Sequence, residues 1–212
     1  MSLGAVISAI GGVSKYWSDP GRRTIVDGMR HLVIALLLCA SLGIAPGAEA
    51  SQHDKRLDAL FAALKANPAP DAAHDLEQRI WLIWAEPDRP EAAAPLRLGM
   101  VALAHDDLPA ADAAFAAAVA ADPDFAEAWN KQATVSFLRG DFSASVTQIQ
   151  HVLALEPRHF GALSGLGQIY LALDNKPAAL KAFEAALAID PALASVREAV
   201  DALRKVVGGQ PI

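Results

Sequence analysis

The clearest pattern in the chain is a helical spacing of apolar residues in its C-terminal part. Between residues 160 and 193, one set of apolar positions is spaced three or four residues apart, and a second set follows a short polar segment. Residues at that spacing lie along one side of an α-helix. Two amphipathic helices that pack through their apolar sides are therefore predicted. Their apolar positions are Leu163, Leu166, Ile169, Tyr170 and Leu173 in the first, and Leu180, Phe183, Ala186 and Leu187 in the second.

A turn signal separates the two helices of this pair, and two earlier segments carry an equivalent signal. Proline is tolerated in the first turn of a helix, and serine is favoured near its start. Each signal therefore predicts that one helix ends and another begins. The signals are Asp106-Asp107 before Pro109, Gly140-Asp141 before Ser143, and Asp174-Asn175 before Pro177.

A longer repeat contains these helix pairs. An acid–proline dipeptide recurs every 34 residues, as Asp122-Pro123, Glu156-Pro157 and Asp190-Pro191. Stacking the segments 92–125, 126–159 and 160–193 in that register brings residues of similar size into the same columns. The columns are Leu98, Gln132 and Leu166; Gly99, Ala133 and Gly167; Ala111, Ser145 and Ala179; Phe115, Ile149 and Phe183; and Ala118, Val152 and Ala186.

These columns resemble the tetratricopeptide repeat, a helix–turn–helix unit with small residues at its eighth, twentieth and twenty-seventh places. The resemblance implies an all-α fold, in which antiparallel helical hairpins stack into a short α–α superhelix. One hairpin leaves an apolar face that its neighbours must bury, so both ends of the array need a cover. Residues 194–212 are predicted to supply a C-terminal capping helix and tail.

Residues 51–91 are predicted to form a further, degenerate hairpin that stacks on the first repeat. Two apolar helical patterns lie on either side of Asn67-Pro68-Ala69-Pro70. The second pattern contains Ile80-Trp81 and Ile83-Trp84 and is apolar on more than one face, which is typical of a buried solenoid helix. A contact surface for another molecule is the alternative interpretation.

Residues 29–50 have the three parts of a secretory signal peptide. Met29-Arg30-His31 is a positive start, residues 32–45 are uncharged and mainly apolar, and Ala48-Glu49-Ala50 is a small-x-small triplet. We expect cleavage after Ala50, a periplasmic mature protein and no stable membrane insertion after cleavage. The alternative is an inner-membrane anchor formed by the uncleaved segment.

Residues 1–28 carry no helical or strand period and are predicted to be an unstructured extension or a mis-assigned start. Met29 opens a complete signal peptide by itself, so we expect translation to begin there. The alternative is that Arg22-Arg23 belongs to a twin-arginine export signal, which makes the extension part of the protein.

Composition and charge narrow the function. The net charge of −6 and the pI near 5.4 oppose binding to nucleic acid or to anionic lipid. The only cysteine, Cys39, lies inside the expected leader. No histidine pair has helical ligand spacing with a carboxylate partner, and no serine lies in a strand-to-helix elbow. We therefore predict no metal site, no cofactor and no enzymatic activity. An unrecognised active site within residues 51–90 is the alternative.

The resemblance also implies a binding surface, because the first helix of each unit in a tetratricopeptide array lines a concave face. In this chain the face is apolar at one end and neutral-polar at the other. We expect it to bind a peptide or protein partner through apolar contacts and amide hydrogen bonds, not through a terminal charge. The predicted groove residues are Leu96, Met100, Leu103, Asn130, Thr134, Phe137, Ser164, Gln168 and Leu171.

Together these features predict a non-catalytic protein–protein interaction scaffold or adaptor in the periplasm or cell envelope. The alternative is a periplasmic chaperone, or an accessory subunit of an export or cofactor-maturation complex whose catalysis lies in the partner. No residue pattern identifies that partner.

Overall fold

The computed structural model describes residues 54–66 and 69–208. In this part of the chain there are nine α-helices, a 3₁₀ helix at Pro90–Ala92 and no strand. The expected extension (1–28) and signal peptide (29–50), with its cleavage after Ala50, lie outside the described residues. The helices are α1 (Lys55–Lys65), α2 (Pro70–Trp84), α3 (Ala93–Ala104), α4 (Leu108–Ala121), α5 (Ala126–Leu138), α6 (Phe142–Leu155), α7 (Phe160–Ala172), α8 (Lys176–Ile189) and α9 (Ala194–Val207).

The three predicted repeats form three antiparallel hairpins, α3–α4, α5–α6 and α7–α8, which pack on one another in chain order. The all-α superhelix expected from the 34-residue period is therefore confirmed. One apolar cluster spans the first repeat and α5, and another spans the second repeat and α7. Burial of shared apolar surface between neighbours is what makes such an array stable.

The small residue at the eighth place of a repeat lets its two helices approach closely. A Cβ added to Gly99 would lie 2.5 Å from the Phe115 ring, and one added to Gly167 would lie 2.5 Å from the Phe183 ring. No real Cβ contact is that short, so the phenylalanine fills the space that the glycine leaves. In the first and third repeats the glycine column therefore contacts the phenylalanine column.

Each turn within a repeat uses the same two devices. The first residue of the turn has a left-handed backbone, with φ of 62° at Asp106, 78° at Gly140 and 54° at Asp174. Glycine adopts this conformation freely, and aspartate is among the few other residues that tolerate it. The next residue caps the second helix through its side chain. The three caps are Asp107 to Ala110 N–H at 3.0 Å, Asp141 to Ala144 N–H at 3.0 Å, and Asn175 to Ala178 N–H at 3.2 Å.

Helix α9 covers the C-terminal end of the array. Its inner side buries Val196, Ala199, Val200 and Leu203 against a cluster that includes Phe183. Its outer side is charged, with Arg204 bonded to Glu184 of α8 at 2.8 Å. The predicted capping helix is therefore present.

The hairpin α1–α2 does not stack on the first repeat, and this part of the prediction is wrong. Its buried cluster includes Phe160, with Ile189 and Leu193 packed against it, which belong to the third repeat, and no residue of the first. The end of the first repeat instead exposes Leu98 (64%) and Val101 (57%). The physical reason is that the aromatic side of α2 finds rings to pack against at the third repeat, whereas the outer side of α3 offers only isolated aliphatic side chains.

Candidate protein-binding surface

The predicted groove residues do not form one continuous open surface. Leu96 and Leu103 are buried in the cluster of the first repeat, among Phe115 and Phe125. They are core residues, so their prediction as partner contacts is wrong for this structure. They face inward because α3 packs against α4, and both side chains join the apolar cluster that the first repeat shares with α5.

The other apolar groove residues are half-buried and serve two purposes. Met100 packs against the first-repeat cluster, Phe137 packs against both the first-repeat and second-repeat clusters, and Leu171 packs against the C-terminal one. Each keeps part of its surface accessible. These three side chains therefore remain candidates for contact with a partner.

The polar groove residues differ in how free their side chains are. The hydroxyl groups of Thr134 and Ser164 donate to carbonyl oxygens of their own helices, those of Asn130 and Phe160. The side chain of Asn130 is buried and bonded to Glu127. Gln168 is half-buried on α7. Gln168 is thus the predicted amide best placed to bond a partner.

A buried carboxylate, Glu127, organises the start of α5. Its Oε1 accepts from the Lys131 ammonium at 2.7 Å, and its Oε2 accepts from the Asn130 amide at 2.9 Å and from His159 Nε2 at 3.1 Å. Burial alone raises the pKa of Glu127, but Lys131 and His159 outweigh that effect and lower it to about 2. The carboxylate is therefore ionised at neutral pH and fully partnered.

His159 links the second repeat to the third and is completely buried. Its Nδ1 accepts from the backbone N–H of Ala162 at 3.1 Å and so caps helix α7. Because Nδ1 is the acceptor, the ring proton is on Nε2, which donates to Glu127. The histidine is held in one tautomer and one orientation.

The rings of α2 close over this histidine. Trp84 stacks on His159 with ring centroids 4.0 Å apart and planes 7° apart, and Trp81 meets the same ring edge-on at 5.4 Å. Trp81 also covers Gly161, where an added Cβ would lie 2.5 Å from the indole. The ammonium of Lys131 lies 5.4 Å from the centroid of the Trp81 ring. We call the residues beneath the two indoles the His159 pocket: Lys131, His159, Phe160 and Gly161.

The N-terminal segment follows the row of acid–proline turns that join one repeat to the next. At the first turn, the backbone N–H of Arg89 donates to Asp122 at 3.1 Å. At the second, Arg158 bonds both Glu156 at 3.0 Å and Asp58 of α1 at 2.7 Å. At the third, Glu77 of α2 lies beside Asp190. The hairpin therefore docks along the edge of the array where the first helices begin.

The contact between Glu77 and Asp190 brings two carboxyl groups together. Burial and the neighbouring Asp190 raise the pKa of Glu77 to about 7, and burial also raises the pKa of Asp190. Asp190 Oδ1 accepts from the Ala192 N–H, whereas its buried Oδ2 has no hydrogen-bond partner. The contact is favourable when Glu77 is protonated and unfavourable when both groups are ionised.

Sequence reasoning missed the role of His159. The residues one repeat away in either direction are Phe125 and Leu193, so the column is otherwise apolar. A histidine in such a column is expected to be buried and bonded, and this signal was available from the alignment of the repeats.

The comparisons with known proteins agree with the repeat. The Tetratricopeptide repeat profile matches residues 96–150 and 139–194. A TPR repeat-containing protein of Rhizobium etli is 37% identical over 159 residues, which are 75% of this chain and 78% of the relative. The chain belongs to the tetratricopeptide repeat family. This TPR protein thus has a family relative along most of its length.

Solved TPR structures share the fold at low sequence identity. The first TPR of Spaghetti (RPAP3), bound to an HSP90 peptide, superposes with a TM-score of 0.55 at 18% identity over 58% of this chain and 98% of that one. The Arabidopsis OM64 TPR domain gives 0.53 at 16% identity over 55% and 97%, and MamA gives 0.53 at 18% identity over 70% and 84%. These likenesses show the fold.

Two features are absent from residues 54–66 and 69–208 of this TPR protein. No three His, Cys, Asp or Glu side chains are grouped there as a metal ion requires. No helix there has both the length and the apolar composition needed to cross a bilayer.

Proposed function

We propose that this TPR protein is a non-catalytic scaffold of the periplasm or cell envelope that holds a polypeptide on the concave face lined by α3, α5 and α7. TPR proteins are generally interaction scaffolds without catalytic activity. The observation that carries the proposal is the set of half-buried residues on those first helices, Met100, Thr134, Phe137, Gln168 and Leu171.

The chemistry of the face favours the body of a peptide over its terminal charge. Lys131 and Asn130 are the cation and amide best placed to hold a carboxylate, and both are already bonded to Glu127. An anionic terminus would have to compete with an internal carboxylate at 2.7 Å. Apolar contacts with Met100, Phe137 and Leu171, and hydrogen bonds with Gln168, remain for the partner.

Site-specific photo-crosslinking tests this face. A photoreactive amino acid replaces Gln168 on α7 in one variant, and the exposed Gln150 on α6 serves as the matched control position. We expect a discrete crosslinked protein from position 168 in cells and none from position 150. Equal crosslinking at both positions overturns the assignment of the face. A heterogeneous set of unfolded clients at position 168 supports the chaperone alternative instead.

The proposed compartment has its own experiment. Export through residues 29–50 predicts that the protein is recovered in the periplasmic fraction and begins at Ser51. Fractionation followed by N-terminal sequencing measures both. A chain retained in the cytosol with Met1 or Met29 intact contradicts the periplasmic proposal, and an intact leader in the membrane fraction supports the anchored alternative.

A further inference from the structure

The docked hairpin covers part of the concave face. Glu127 and Gly161 occupy the second place of their repeats, which tetratricopeptide arrays present on that face. Glu127 is 2% exposed, and Trp81 lies directly over Gly161. Glu127 and Gly161 each lie seven residues before a residue of the proposed face, Thr134 and Gln168, and therefore on the same side of α5 and α7. The hairpin thus covers the beginnings of the helix faces on which the proposed function places a partner.

The contact made by α2 has the form of an amphipathic helix bound in a groove. Its apolar anchors are Ile80, Trp81, Ile83 and Trp84, which lie within one helical turn. The two indoles enter the His159 pocket, where one stacks on the imidazole and the other covers a glycine. A short helix with anchors at this spacing is a recurrent way for a partner to occupy a hydrophobic groove.

The hairpin buries a polar group without a partner where it docks. Trp84 Nε1 has no hydrogen-bond partner, and the carboxyl groups of Glu77 and Asp190 are brought together at the same interface. Unpaired buried polar groups weaken an interface that is otherwise well packed. The ion pair between Arg158 and Asp58 at this interface is largely exposed, because the Asp58 side chain is 76% accessible to solvent. Such a pair adds little to the stability of docking.

We propose that the α1–α2 hairpin is an internal occupant of the partner-binding face, and that the partner is an amphipathic helix with two aromatic side chains one turn apart, which displaces α2 from the His159 pocket. This inference rests on the proposed function and specifies the ligand and regulation of the same face. The tether gives the hairpin a high local concentration, so a partner must bind more tightly than α2 does or act when docking is weakened.

Binding of α2 as a separate peptide tests the inference. The probe is a fluorescent peptide of residues 70–86, and the receptors are the full chain and its Trp81→Ala/Trp84→Ala variant. In the variant the internal competitor is lost and the pocket residues on α5 and α7 are unchanged. We expect the variant to bind the peptide at least tenfold more tightly than the unmodified chain, as measured by fluorescence anisotropy.

Two controls distinguish binding of the peptide in the His159 pocket from nonspecific binding. The same peptide with both tryptophans replaced by alanine is expected to bind neither chain. Adding Phe160→Ala to the variant is expected to reduce binding of the unmodified peptide by tenfold or more. Circular dichroism verifies that helical content and the cooperative unfolding of the repeats are retained.

A second variant keeps the test valid if the double substitution misfolds. Asp58→Lys places a cation beside Arg158 at an exposed position and weakens docking without changing any core side chain. It is expected to tighten peptide binding by a smaller factor, about threefold. Folded variants that bind the peptide no better than the unmodified chain overturn the inference. Crosslinking at position 168 then still decides the proposed function, so the two failures are distinguishable.

Discussion

The C-terminal end of the array is covered by a helix, whereas the N-terminal end exposes apolar side chains. Helix α9 and the α1–α2 hairpin are both amphipathic, and both were expected to act as covers. Only α9 lies on an end, where Leu203 and Val200 join the cluster of the last repeat. The hairpin instead docks along the edge of the array at the third repeat, and Leu98 and Val101 stay exposed on the first. A need to bury apolar surface therefore does not determine which surface is buried against which.

The interiors of these two contacts also differ. Around α9 the buried side chains are apolar, and the charged groups lie outside. Beneath the hairpin lie three buried polar side chains, His159 and Glu127, which are bonded to each other, and Asp190, which lies beside Glu77. The first contact is expected to unfold together with the repeats, and the second to open on its own. The following experiments separate the two behaviours.

The largest effect is expected from Leu203→Ala in α9. Leu203 is fully buried, and large-to-small changes of this kind cost about 2 to 5 kcal/mol. Because α9 is part of the stacked array, the loss should appear in the single cooperative unfolding transition followed by circular dichroism in urea. A loss under about 1 kcal/mol would show that α9 is not an integral cover.

The next largest effect is expected from an alanine substitution in α7, where two glycines can be compared. Gly167→Ala drives a methyl group into Phe183 within the repeat, and we expect the array to lose about 1 to 3 kcal/mol. Gly161→Ala drives it into Trp81 of the hairpin, which moves aside, so the stability of the array should change by less. Trp81 fluorescence and urea unfolding measure both changes.

Gly165→Ala is the matched control for this pair. Its nearest neighbour is Ile149 Cδ1 at 3.7 Å, an ordinary contact, so alanine is expected to stabilise the helix by about 1 kcal/mol. If Gly161→Ala and Gly167→Ala destabilise the array equally, the hairpin and the repeats form one cooperative unit, and the hairpin does not open on its own.

A smaller effect is expected from Gly140→Ala in the turn of the second repeat. Gly140 has a φ of 78° and no neighbour within 4 Å of an added Cβ, so only backbone strain opposes alanine. We expect a loss of about 1 kcal/mol in the free energy of unfolding. Asp106 and Asp174 hold the same left-handed conformation in the other two repeats. An unchanged stability for Gly140→Ala contradicts the strain argument.

The smallest change in overall stability is expected from pH, through Glu77. Its pKa is raised to about 7 in the docked state, so docking holds a proton that the released hairpin gives up. Linkage then requires the free energy of docking to become less favourable as pH rises from about 4.5 to 7 and to stay constant above that range. Tryptophan fluorescence between pH 4.5 and 8 measures the change. Glu77→Gln removes one of the two titrating groups and leaves Asp190, so the pH dependence should become smaller; an undiminished pH dependence in that variant would sink the assignment.

Much of the fold could be predicted because it depends on local patterns. The 34-residue period, the glycine and phenylalanine columns and the capping residues each act within one repeat. Contacts such as Gly167 with Phe183, or Asn175 with Ala178, involve residues close in sequence. The candidate face was predicted less well, because Leu96 and Leu103 have the same apolar character whether they face a groove or a core.

Residue spacing alone predicts that this protein is a stack of helical hairpins with a charged C-terminal cover, because spacing sets which side of a helix is apolar. Contacts between residues far apart in the chain place α2 against the His159 pocket, bring its indoles close to the Lys131–Glu127 pair and leave Leu98 and Val101 of the first repeat exposed. Hydrophobic burial is non-directional and favours any apolar surface that fits. Shape and polar pairing across long sequence separations select among the alternatives.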